Sequence, residues 1–228
     1  MTSQCRTLRV KVDDQVGEVS ALLDRPRGAF ALLVLAHGAG ADMRHRFMQA
    51  TTEALTARKL AVLRYQFPYT EAGRKRPDPK PRLLATIRAA VAEGGRLARG
   101  LPLFAGGKSM GGRMTSTAAA QQALPGVHGL VFLGFPLHPI GRPGTERACH
   151  LRDVDGPMLL VQGTRDKLAE WSLLEQVHRR LGTRAQLYVV DDGDHSFAVR
   201  KTRGHDPDAV VPGIATAVEQ WARAVLEG

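Results

Sequence analysis

Gly106-Gly107-Lys108-Ser109-Met110-Gly111-Gly112 places a glycine two residues before and two residues after Ser109. An apolar run (Leu101–Ala105) precedes it and a helix-like run (Met110–Ala123) follows. A serine at the apex of a sharp strand-to-helix turn requires this spacing, because side chains at Gly107 and Gly111 would collide with the turn. The turn pushes the hydroxyl out above a sheet, and the helix N-terminus beneath it favours developing negative charge. Two plainer readings use the same residues: a glycine-rich turn with a capping serine, and a phosphate-binding loop. The second lacks its spacing, since Lys108 precedes the serine instead of closing a G-x-x-x-x-G frame.

Outward from the turn, the apolar period switches repeatedly between strand and helix. Thr7–Val12 and Glu18–Leu23 alternate across a short connection and read as a hairpin. Phe30–Ala36, Leu60–Tyr65, Leu130–Gly134, Met158–Gln162 and Gln186–Asp191 are short apolar runs. Between them lie the helix-like segments Met43–Arg58, Arg82–Arg99, Lys167–Leu181 and, closing the chain, Ala209–Leu226. Strands alternating with helices demand crossovers. The expectation is therefore an α/β fold with an eight-stranded, mostly parallel sheet, helices on both faces and an antiparallel hairpin at the start. No linker or repeat divides residues 1–228, which read as one domain.

A serine nucleophile needs a base, and the base needs an orienting carboxylate. Ligands and chemistry gather at the carboxyl ends of parallel strands. Gln162-Gly163-Thr164-Arg165-Asp166 follows one strand, and Asp191-Asp192-Gly193-Asp194-His195 follows another, in the chain order Ser, Asp, His. Asp166 also fits as a cap for the helix expected at Lys167. Asp191 and Asp192 are rival acids, whereas Asp194 suits a turn-shaping role. His37-Gly38-Ala39-Gly40 follows the Phe30–Ala36 strand and supplies the second half of an oxyanion hole. Its donors are the amides of Met110 and Ala39, with Gly38 allowing close backbone approach and His37 packing the loop.

Composition narrows the remaining classes. With 43% hydrophobic residues the chain can bury a core without disulfides, and its two cysteines, Cys5 and Cys149, lie in no metal-ligand spacing. No metal or organic cofactor is expected. The longest apolar run falls short of the ~20 residues that span a bilayer, and no secretory leader is visible, so a cytoplasmic protein is expected. A formal charge of +10 could attract acidic partners, but the basic residues are scattered and no nucleic-acid motif accompanies them. The exception is Gly73–Arg82, where three prolines and five basic residues argue against regular structure. Its place after a strand's carboxyl end makes Arg74, Lys75 and Arg76, with Lys108, candidates for a substrate entrance favouring an anionic group. The plainer reading is a solvated loop.

The stretches HGAGADMRH (His37–His45), RYQFPYTEAGRKRPDP (Arg64–Pro79), GGKSMGGRM (Gly106–Met114), QGTRD (Gln162–Asp166) and DGDHSF (Asp192–Phe197) resemble the α/β-hydrolase superfamily. Within it they are most similar to predicted serine hydrolases related to dienelactone hydrolase. The small bacterial members have animal relatives that include a testis-expressed hydrolase-like protein and a chromatin-complex subunit. The resemblance implies Ser109, His195 and Asp166 as nucleophile, base and acid. Dienelactone hydrolase itself uses a cysteine nucleophile, so its lactone substrate does not carry over. Phe135–Pro157, only some twenty residues, leaves little room for the helical lid that lipases carry there. The expected activity is hydrolysis of an ester or thioester of a small molecule; the rival from another class is a silent binding or scaffold protein on the same fold.

Overall fold

The computed structural model describes residues 4–201 and 204–228. β1 (Gln4–Asp13) and β2 (Gly17–Arg25) form the expected hairpin, with paired residues from Gln4↔Arg25 to Asp13↔Gly17. Then come β3 (Ala31–Ala36), α1 (Arg46–Ala57), β4 (Leu60–Tyr65), α2 (Pro68–Glu71) and α3 (Lys80–Ala98). β5 (Leu103–Lys108), α4 (Met110–Gln121), β6 (Val127–Leu133), a 3₁₀ segment (Glu146–Asp153) and β7 (Met158–Gly163) follow. α5 (Trp171–Leu181), β8 (Ala185–Val190) and α6 (Pro207–Glu227) end the chain. The eight strands lie in the order β1-β2-β4-β3-β5-β6-β7-β8; β2 pairs antiparallel with β1 and β4, and all other pairs are parallel.

The central strands are buried on both faces, so their sequences are continuous apolar runs whose side chains alternate between two cores. Leu32, Val34 and Ala36 of β3 join the core under α3, α4 and α5. Leu33 and Leu35 join the one under α1 and α6, where Met48, Leu55, Val218 and Trp221 pack. Arg64 breaks the apolar run of β4. It is buried, with Nη2 donating to Asp24 Oδ2 at 2.7 Å and Nη1 donating to the Met43 carbonyl at 3.0 Å. Its ion pair ties β4 to the hairpin, and its bond to Met43 ties β4 to the loop ahead of α1. No described helix is long and apolar enough to cross a membrane.

Several boundaries differ from the sequence reading. The basic stretch is not irregular to Arg82: α3 begins at Lys80, with Pro79 as its N-cap and Pro81 in its first turn. Proline is well placed there, since its missing N–H would have had no partner in a first turn. β5 extends through Lys108 to the edge of the Ser109 turn, because its glycines pair with β3 and β6 as well as any apolar residue would. α5 starts at Trp171, not Lys167, as residues 167–170 form turns before it. α2 and the 3₁₀ segment, both short, had no periodic signal. Between β6 and β7 the 3₁₀ segment is the only helix, and no lid domain is present.

Gly106 sits mid-sheet between β3 and β6, and a Cβ there would overlap the Val131 carbonyl. Backbone cannot retreat from such a contact as a flexible side chain does. Gly106→Ala is therefore expected to destabilise the fold by about 3 kcal/mol or more, read as a lowered denaturant midpoint. An unchanged midpoint would show that the strands can separate locally.

Candidate active site

β5 ends at Lys108 and α4 begins at Met110, leaving Ser109 alone to reverse the chain. It does so at φ 51°, ψ −116°, a conformation costing about 1–3 kcal/mol for a residue with a Cβ. Neighbouring backbone holds it there: Ser109 N–H donates to the Leu133 carbonyl at 3.0 Å, and Arg113 N–H donates back to the Ser109 carbonyl at 3.1 Å. The flanking glycines are required by space. A Cβ on Gly107 would lie 2.6 Å from the Ala36 carbonyl oxygen, and one on Gly111 would lie 2.6 Å from that of His37. The turn is thus pressed against the end of β3 and the loop that follows.

From that turn the Ser109 hydroxyl lies 2.8 Å from His195 Nε2, while His195 Nδ1 is 2.7 Å from Asp166 Oδ2. The carboxylate accepts from Nδ1–H, which leaves Nε2 as the acceptor facing the serine. Asp166 is buried and further bonded: Oδ2 accepts from Gln162 Nε2 at 2.5 Å, and Oδ1 accepts from the Leu168 amide at 2.8 Å. It therefore caps the turn after β7 with one oxygen and faces His195 with the other. It does not cap α5, whose N-cap is Glu170. Sequence reasoning missed Gln162. Its Oε1 accepts from the Phe135 amide at 2.9 Å, so it couples the loops after β6 and β7. The only signal was an amide in the otherwise apolar Met158–Gly163 strand.

The rival acids are occupied elsewhere. Asp192 is bonded to Arg200 and Arg165, and Arg200 above all holds its carboxyl well below the usual range. Asp191 is largely exposed, 3.6 Å from His205. Asp194 shapes the His195 turn by accepting from the amides of Ser196 and Ala198. Lys108 braces the same turn, its Nζ donating to the His195 carbonyl at 2.5 Å. Its ammonium lies 5.0 Å from the Phe197 ring centre, and burial pushes its pKa down to about 8. That charge is already engaged beside the base, so Lys108 is a wall residue and not a free entrance cation.

Gly38 and Ala39 lie beside the serine, and an ideal Cβ on Gly38 would be 3.5 Å from Ser109 Cβ. Met110 is the first residue of α4, where a helix amide has no intrahelical acceptor. Ser109 and Ala39 line two cavities at once. The smaller, about 190 Å³, is walled by Phe47, Met48, Lys108 and His195. The larger, about 440 Å³, is walled by Met110, Arg113, Met114, Lys80, Arg147 and Leu168, among others. Arg74 and Lys75 line a third depression, beside Gly40 and His45, that does not include Ser109; Arg76 lines none of the three. Arg74 is moreover paired with Asp78 at 2.7 Å. Of the four cations expected at an entrance, Lys108 thus lines a cavity with the serine, while Arg74 and Lys75 lie one loop away.

His37 is fully buried beneath the Gly38–Gly40 loop, edge-on to Phe67 at 4.9 Å. Nδ1–H donates to the Gly38 carbonyl at 2.8 Å and Nε2 accepts from the Phe67 amide at 3.1 Å. A second ring proton would face an N–H donor, and burial pushes the pKa down to about 4.

A model of the family described as "Alpha/beta hydrolase domain" matches residues 29–223. Among solved structures, the chain is similar to the dienelactone hydrolase of Anabaena variabilis ATCC 29413, at 20% identity over 97% of each chain with a TM-score of 0.77. It is also similar to the esterase domain of a Rhodothermus marinus protein, at 18% identity over 97% of this chain and 98% of that one, TM-score 0.73. A third likeness is to an α/β serine hydrolase without a lid from Xanthomonas campestris, at 18% identity over 98% and 96%, TM-score 0.72. At these identities the likeness lies in the fold.

Because folded His37 resists the proton that the unfolded chain takes up near pH 6.5, stability is expected to fall as pH drops from about 6.5 to about 4. One such group contributes about 1.4 kcal/mol per pH unit in that window. His37→Gln should show a shallower loss in urea melts across this range. Equal slopes in both proteins would mean that His37 is protonated in the fold.

Proposed function

The chain belongs to the α/β-hydrolase family, and from that premise we propose that it is a serine hydrolase cleaving an ester or thioester of a small substrate through an acyl-enzyme on Ser109. The observation that carries this reading is the unbroken line of short contacts from Asp166 through His195 to the Ser109 hydroxyl, 2.7 and 2.8 Å long. A binding protein has no physical need to bury a carboxylate behind an imidazole and aim that imidazole at a strained serine.

In this mechanism His195 Nε2 removes the Ser109 proton as Oγ attacks the carbonyl carbon. The carbonyl oxygen gains the electron pair and is received by the amides of Met110 and Ala39, which are worth ~10² to 10³ in rate each in such sites. Asp166 holds the imidazole in place and stabilises it as imidazolium. His195 then gives its proton to the departing oxygen or sulfur, and the acyl–Oγ bond remains. Water, deprotonated by His195, then attacks the acyl carbonyl carbon, and the acyl–Oγ bond breaks as His195 returns the proton to Ser109 Oγ, freeing the acid. Since the leaving group needs the Nε2 proton, it departs through the smaller cavity, the one His195 lines. The acyl chain then occupies the larger cavity on the Met110 side.

Fluorophosphonate labelling located by mass spectrometry, with short-chain nitrophenyl esters run in parallel, tests the reading. Labelling is expected at Ser109 and is expected to vanish in Ser109→Ala and His195→Ala. Asp166→Asn should keep the fold and lower kcat by ~10³- to 10⁴-fold, because the imidazole loses its orienting charge. A folded protein that takes no label would instead be a binding or scaffold member of the family.

A further inference from the structure

Three cations that the mechanism does not use meet in the larger cavity. Lys80 comes from the first turn of α3, Arg113 from the first turn of α4 and Arg147 from the 3₁₀ segment; all three line the space that holds Ser109. Arg113 lies one helical turn beyond Ser109, on the same face of α4. It is half-buried, and its Nε has neither solvent contact nor a hydrogen-bond partner among the described residues. Burial, and then the charge of Arg147, disfavour its protonated form. Arg113 and Lys80 also act, after burial, to push the pKa of neighbouring His150 down to about 4, which places the charges close together. None of the three cations forms an ion pair among the described residues. The one carboxylate in the lining, Asp78, is buried; its Oδ1 faces Arg74 at 2.7 Å and Arg82 at 3.6 Å while its Oδ2 has no hydrogen-bond partner among the described residues, so the three cations of the lining still outnumber it.

Burying guanidinium groups beside one another without an anion is unfavourable, and a planar carboxylate matches their donors in pairs. The rest of the wall, Met114 and Leu168 among it, is apolar and suits a methylene chain. We propose that this cavity receives a carboxylate carried by the acyl group, so that the substrates are half-esters or half-thioesters of dicarboxylic acids. The inference rests on the acyl-enzyme reading, and on the assignment of this cavity to the acyl side. It also moves the anion preference from the Arg74–Arg76 loop to Arg113, Arg147 and Lys80.

The test compares kcat/KM for the 4-nitrophenyl half-ester of adipate with that for 4-nitrophenyl hexanoate, which has the same chain length without the charge. The wild-type protein should favour the half-ester about tenfold or more, as a charged hydrogen bond predicts. Arg113→Gln and Arg147→Gln should each cut that ratio about tenfold. Lys80→Gln, at an exposed side chain that folding does not need, should cut it less. Arg27→Gln, which removes the same charge from a remote turn, should leave it intact. In parallel, adipate dianion should raise the melting temperature of Ser109→Ala but not of Ser109→Ala carrying Arg113→Gln. Turnover of both esters with a ratio near one, or a ratio equal in wild type and variants, overturns the pocket and leaves the hydrolase standing. No turnover and no fluorophosphonate label, with adipate stabilisation that depends on Arg113, overturns the hydrolase reading and keeps the anion site.

Discussion

The contact on which the site depends is between backbones: the turn around Ser109 lies directly against the end of β3. Gly107 and Gly111 have no room for a Cβ because the carbonyls of Ala36 and His37 occupy it. That closeness brings the Gly38–Ala39 loop beside the serine and holds Ser109 at a positive φ it would not adopt alone. The strain of about 1–3 kcal/mol is small beside the burial of β3 and β5 on both faces, whose side chains reach two separate cores. The local conformation at the nucleophile position is therefore imposed by the sheet.

Around the serine the loops are joined to one another. Gln162 links the loop after β7 to Phe135 after β6, and Lys108 links the serine turn to the His195 carbonyl. Arg165 and Arg200 fix Asp192 at the base of the His195 loop. Gln162, Asp166 and Asp192 are buried, so competition from water for these contacts is weak on their side. Two cavities meet at Ser109 within this frame, one with the imidazole, Phe47, Met48 and Lys108 on its wall, the other lined by Lys80, Arg113 and Arg147.

Charge shows the difference between composition and placement. With 32 lysines and arginines against 22 acids, any stretch of this chain is apt to look basic. The densest run, Arg74–Arg76, faces solvent or Asp78. Apart from Lys108, which is engaged with the His195 carbonyl, the cations that line a cavity with the serine are Lys80, Arg113 and Arg147, three residues that no local pattern connects. A core residue reveals itself by periodicity, but an arginine gives no such sign, because its role depends on whether the fold surrounds it with acids.

The sequence by itself determined the sheet, its hairpin, the strand count and the order of serine, aspartate and histidine after their strands. These follow from hydrophobic periodicity and glycine spacing, which act over a few neighbouring residues. It also made His37 a packing residue of its loop, where the structure finds it buried. Short elements escaped it: α2 and the 3₁₀ segment span too few residues to set up a period, and Pro81 disguised the first turn of α3 as a break. Only the tertiary structure decided that Asp166, and not Asp191 or Asp192, meets His195, that Gln162 supports it, and which cations face the serine. Each of those outcomes depends on groups dozens of residues apart arriving within hydrogen-bonding distance, and on which of several like side chains the fold deprives of water.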